Sequence, residues 1–312
     1  MIANGRAAAA ALLLCALAAG PARAGEANDE PLEQTFEVAP DVRVDIEIVT
    51  GEIELRAIDA NQLRVRAKGP LDVNGSHRRV SVRAPSGGWM PWSHPAEVEV
   101  EIELPRKSRI TARAINGGIR AEGVEGELDL HAANGAIEVK GAPKEAYLET
   151  MNAAIKFEGR GSDVVAKTLN GEIELEGVSG EVQASTVSGR IKVEGEAIER
   201  AELRTMAGAI ELDGSLAKGA RVNAKSFSGP VLVRLPGNTS ARFDVSSWSG
   251  GLESDFASRF TGDDDHESRQ WGHSPWGHGA GRPLSFVVGD GDARISIESF
   301  SGGVKVEKRD SD

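Results

Sequence analysis

The chain has little of what several common protein types require. Its 312 residues hold one cysteine, so no intrachain disulfide can form and a disulfide scaffold is excluded. Aromatic residues make up only 4%, with a single tyrosine, so any core must be filled mainly by aliphatic side chains. Basic residues are outnumbered, with 36 Lys and Arg against 48 Asp and Glu, and the resulting formal charge of −12 argues against a nucleic-acid partner. Beyond the N-terminus no stretch approaches the roughly 20 apolar residues of a membrane-spanning helix. Intrinsic disorder is nevertheless excluded by an apolar fraction of 40%. The length fits one large all-β domain or two ordinary ones.

The N-terminus reads as targeting. Arg6 precedes an apolar run from Ala7 to Ala19, and Ala22-Arg23-Ala24 before Gly25 has the small-x-small form that signal peptidase cleaves. We therefore expect residues 1–24 to be a signal peptide and residues 25–35 a flexible N-terminus. A lipoprotein signal on Cys15 is the alternative, but Leu14 places a bulky side chain where lipoprotein processing takes a small one. Cleavage removes the cysteine, Arg6 and Arg23 but no acid, leaving a more acidic mature chain. The expected location is the periplasm, with the cell surface or the medium as alternatives.

What the chain has in abundance is glycine, and the glycines recur in phase. The unit Asn/Ser-Gly-x-Ile-x-Val appears at Asn116, Asn134, Asn152, Asn170, Ser188, Ala207, Ser228, Ser249 and Ser301, with an outlying copy at Thr50. The first four steps are 18 residues, followed by 19, 21, 21 and 52. Each unit is preceded by a second alternating strand, as in Leu128/Leu130/Ala132 and Val182/Ala184/Thr186, so a repeat is two short strands and two turns, each strand burying one face.

Two architectures can host this pattern: antiparallel hairpins closed by Asn-Gly turns, or a parallel β-solenoid in which equivalent positions stack. The columns favour the solenoid. Two residues before the Asn/Ser slot the side chains are small throughout, Ala114 and Ala132, then threonines, then serines. At the outward slot after the isoleucine, successive units read Arg120, Glu138, Lys156, Glu174, Lys192 and Glu211. In-register stacking sets each beside an opposite charge, worth about 0.2–1 kcal/mol per pair. The expected fold is thus a single all-β domain. Its parts are an N-terminal β cap over residues 36–105, a parallel β-solenoid of about nine two-strand coils over 106–306, a loop insertion at 255–282, and a charged tail at 307–312. The last coil, ending at Val306, is expected to close the column, with its tail blunting the edge.

These repeats, with Ile102-Glu103-Leu104-Pro105 and Thr50-Gly51-Glu52-Ile53-Glu54-Leu55, resemble the bacterial domain-of-unknown-function 4097 family over roughly Phe36 to Val306. The resemblance implies a β-strand-repeat protein of the cell envelope, for which adhesin is the usual label, and it brings no catalytic residues. Asn152-Ala153 and Ala207-Gly208 depart from the turn pattern.

Site residues are few. A carbohydrate-active β-helix enzyme, the alternative reading, needs two or three acids converging on one face. The outward acids Glu138, Glu174 and Glu211 are instead interleaved with Lys156 and Lys192, and Asp129 and Asp244 stand six coils apart in sequence. His266, His273 and His278 beside Asp263 to Asp265 could be offered as metal ligands, but their spacings match no defined site. Trp89, Trp92, Trp271 and Trp276 lie in two stretches outside the repeat and are the expected ligand-binding residues, for an envelope glycan or protein. The Asn/Ser column is expected to be a structural turn ladder. No cofactor is implied, and oligomeric state and handedness stay open. The function expected is a non-enzymatic exported scaffold.

Overall fold

The computed structural model describes residues 32–84, 97–160, 163–256, 259–260 and 284–309. Among them there is no helix, and the strands form one continuous all-β stack. The chain winds as a parallel β-solenoid whose rungs each give one strand to a first sheet and one to a second. Ile137 pairs with Ile119 on one side and Ile155 on the other, and the register continues through Ile173, Ile191, Ile210 and Val231. The same register in the first sheet aligns Leu130 with Ala112 and Leu148. Period-two alternation turns every second side chain inward, and the two sheets close on a continuous aliphatic core. Core burial and rung-to-rung hydrogen bonding thus share one repeat, so no rung is stable without its neighbours.

Rung order departs from sequence order at both ends. The strands Arg43–Thr50 and Ile53–Ile58 form a regular rung, in register with Asn116 through Thr50. The chain then moves outward to build the rung of Arg79–Arg83 and Glu99–Pro105 before returning inward at Arg109. Antiparallel strands Gln62–Lys68 and Leu32–Glu37 cover the second sheet there, and Asp72–Ser76 covers the first.

At the other end the expectation that the last coil closes the column is corrected. Its strands Ala293–Ser299 and Val304–Arg309 slot between the rung of Phe227 and the rung of Trp248. The first sheet ends instead on Leu284–Val288, antiparallel to Ala241–Ser247, with Arg259–Phe260 beyond it. The second ends on the three residues Leu252–Ser254. Short or reversed edge strands resist pairing with another sheet. Beneath them, Phe243, stacked on Phe286 at 4.7 Å and tilted against Phe256 at 5.8 Å, plugs the core. The order is possible because a rung needs only a matching edge, whereas its position is set by the link that delivers it.

Candidate functional site

The most regular surface feature among the described residues lies on the corner between the two sheets. The small side chains two before the corner are buried, and their hydroxyls donate to turn carbonyls of the adjoining rung. Thr150 reaches Gly135 at 3.0 Å, Thr168 reaches Ala153 at 3.2 Å and Thr186 reaches Gly171 at 3.2 Å. Thr205, Ser226 and Ser299 continue the series. Ser247 donates to Gly302, which follows it by 55 residues in sequence but lies next to it in the stack. Outside this row stand the asparagines, each amide donating to the one before: Asn134 to Asn116 at 2.9 Å, Asn152 to Asn134 at 2.8 Å and Asn170 to Asn152 at 3.1 Å. Ser188, Ser228, Ser249 and Ser301 extend the column, and Asn152 keeps its place although Ala153 follows it. The corner glycines serve close approach: a Cβ on Gly189 would sit 1.9 Å from the Gly171 carbonyl oxygen.

Between these two rows runs a third that the sequence analysis missed. Ile115, Met151, Leu169, Val187, Met206, Phe227, Phe300 and Trp248 occupy the slot just before the corner, on successive rungs apart from Ala133, and all are exposed. At the distal end Met206 is 58% exposed, Phe227 55%, Phe300 46% and Trp248 55%, although apolar side chains of this size are normally covered. Phe300 stacks on Phe227 at 4.8 Å and 4°, and Trp248 on Phe300 at 5.8 Å and 13°. The rings therefore cover one another's faces and present their edges outward. Beside them an open trough of about 520 Å³ runs past Arg204 and Lys225. The signal was present in the sequence, one residue before each Asn or Ser.

A second cluster lies in the middle of the first sheet. His131 Nε2 is 2.7 Å from an Asp129 oxygen, and the Tyr147 hydroxyl donates to Glu149 at 2.7 Å. Lys167 donates to the same hydroxyl at 3.4 Å. The hydrogen bond to Glu149, with partial burial, holds the phenol above its usual range, so it remains protonated. These groups satisfy one another on an open sheet face. Asp129 and Asp244 occupy one column, far apart, with the last coil's strand between them.

The Arg120-to-Glu211 column of the second sheet forms ion pairs as its alternation requires. Arg120 meets Glu138 at 3.4 Å, and Glu174 lies between Lys156 at 3.9 Å and Lys192 at 3.0 Å. Glu194 and Glu174 push the Lys192 ammonium well above its usual range, and Lys192 in turn holds the Glu174 carboxyl low. Among the described residues no three His, Cys, Asp or Glu side chains come together as metal ligands. Trp89, Trp92, Trp271, Trp276, His266, His273 and His278 lie outside the described residues. No described helix is long and apolar enough to cross a membrane.

No curated protein matches the chain. Among solved structures, a putative adhesin from Bacteroides fragilis NCTC 9343 is similar at 10% identity and a TM-score of 0.40, covering 90% of this chain and 98% of that one. A putative lipid binding protein from Parabacteroides distasonis ATCC 8503 matches at 10% identity and a TM-score of 0.41, over 91% and 98%. A putative cell adhesion protein from Clostridium sporogenes ATCC 15579 matches at 10% identity and a TM-score of 0.25, over 90% and 100%. The family model described as Toastrack DUF4097 matches residues 37–275, most of the solenoid. With more than half its length under that model and its repeats stacked as parallel rungs, the chain belongs to the Toastrack DUF4097 family.

Proposed function

We propose that this protein is an exported, non-enzymatic, adhesin-like scaffold of the cell envelope that binds a partner along its exposed corner. The observation that carries the reading is the apolar row from Ile115 to Trp248, held one side chain per rung on a rigid ladder and left open at its aromatic end. Exposed contiguous apolar surface of this kind marks interaction sites. The ring geometry favours a protein partner over a glycan, because sugars stack on ring faces and the faces between Phe227, Phe300 and Trp248 are already covered. The charge ladder of the second sheet is internally paired and fits a solvated wall better than a catalytic cleft.

The test is the triple variant Phe227→Ser, Phe300→Ser, Trp248→Ser, compared with wild type in binding to solubilised envelope proteins and to a glycan array. Binding to envelope proteins is expected to fall at least tenfold, with Tm changed by only a few degrees because the rings lie outside the core. Unchanged binding in the folded variant would overturn the reading, and binding confined to the glycan array would move it from protein to sugar.

A further inference from the structure

One outward column of the first sheet is divided into blocks of like charge. At the slot that opens each strand, farthest from the apolar corner, the stack reads Arg79, Arg43, Arg109, then Glu127, Glu145, Asp163, Glu181, then Arg200, Arg221, Arg294, Arg242. Four acids are followed by four arginines. The last coil's insertion sets Arg294 before Arg242, and the four arginines are consecutive in either order. Ion pairs form where blocks meet, Arg109 with Glu127 at 3.4 Å and Arg200 with Glu181 at 3.8 Å. Within the blocks, Glu145, Arg221, Arg294 and Arg242 have no ion-pair partner among the described residues. Like charges directly opposite in a sheet are destabilising; the second sheet also stacks Glu158, Glu176, Glu194 and Asp213 in succession, but there every acid is paired with a lysine or arginine.

We propose that this column is the contact edge of a twofold dimer formed by a second copy of the chain. Both blocks are four rungs long and are built on one ladder spacing. A twofold axis passing between the Glu181 and Arg200 rungs therefore sets Glu181 against Arg200 of the second copy, Asp163 against Arg221, Glu145 against Arg294 and Glu127 against Arg242. The symmetry repeats all four pairs, giving the self-complementary contact that an isologous interface requires. A polyanion would engage the arginines and be repelled by the acids beside them; a second copy accounts for both blocks. The same axis would set Lys167 against Lys225 across the middle of the sheet, so the copies meet along this edge and not face to face. The apolar corner stays free at the opposite end of the strands, so the dimer is independent of the binding function proposed above.

The test uses sedimentation velocity on the mature chain and two double variants, Glu145→Arg with Asp163→Arg, and Arg221→Glu with Arg294→Glu. Wild type is expected to be dimeric at 20 mM salt and monomeric at 500 mM. Each variant alone is expected to be monomeric at both salt concentrations, because the twofold then opposes like charges. An equimolar mixture of the two restores every pair and is expected to dimerise at low salt. Each variant turns two of the three like-charged contacts in its block into opposite ones and leaves the third like-charged, so its Tm in 500 mM salt should be no lower than that of wild type. A wild type that stays monomeric, variants that dimerise as wild type does, or a mixture that remains monomeric would each overturn the proposal. Retention of monomeric wild type on a heparin column, lost in the arginine variant, would assign the block to a polyanion instead.

Discussion

At the scale of single residues the corner shows why each slot takes its residue type. A turn carbonyl at every rung must be satisfied in a dry corner, and a small hydroxyl side chain from the adjoining rung does so without adding bulk. The small-polar column is legible in the sequence for that reason. Thr186→Val keeps the shape and removes the donor, leaving the Gly171 carbonyl without its hydroxyl partner. The expected cost is about 1–3 kcal/mol in urea unfolding, with an unchanged m-value; no change in stability would show that this hydroxyl contributes nothing. The apolar row lies in the same stretch and was equally readable, since an outward slot filled by Ile115, Met151, Leu169 and Val187 already violates the alternation. Four of the five tryptophans lie outside the repeat, whereas Trp248 is inside it, where the solenoid pattern by itself assigns a structural role.

At the scale of strands and columns, the ion-paired ladders of the second sheet tie stability to pH. Hydrogen bonds from Lys192 hold Glu174 below the usual carboxylate range, those from Lys140 and Lys156 do the same for Glu158, and those from Lys305 and Arg234 for Glu307. In the unfolded chain these groups titrate near about 4.3. A depressed native pKa means the unfolded state takes up protons first, so the contribution is complete above that value and is lost as pH falls through the native ones. Tm is expected to be flat from pH 7 to about 5 on this account, and to drop below about 4. Lys192→Met should lower the neutral-pH Tm and make the acid drop shallower. A drop of equal steepness in that variant would remove Lys192 from the explanation. The alternation of Arg120 to Glu211 was legible because those rungs stack in sequence order. The acid and arginine blocks of the first sheet were legible too, since Glu127, Glu145, Asp163 and Glu181, then Arg200, Arg221, Arg242 and Arg294, open their strands in that chain order and the altered order of the last rungs only exchanges the final two.

At the scale of the whole molecule, the family resemblance and the parallel column were readable from an 18-residue period, and the end structure was not. A period says that units stack; it carries no information on which free edge a late unit joins. The step of 52 delivers the last coil after a detour long enough to skip a position, and the gap it fills is defined only by Phe227 on one side and Trp248 on the other. The stacking of Phe300 between Phe227 and Trp248 and the Phe243 plug depend on that order. It can be read by cysteine cross-linking in a Cys15→Ser background. With cysteines at 227 and 300, or at 300 and 248, adjacent rungs place the pair about 5 Å apart between backbones, within disulfide reach. Cysteines at 227 and 248 are two rungs apart. Rapid oxidation of the first two pairs and none of the third is the expected result; ready cross-linking of 227 to 248, with 300 joining neither, would contradict the account.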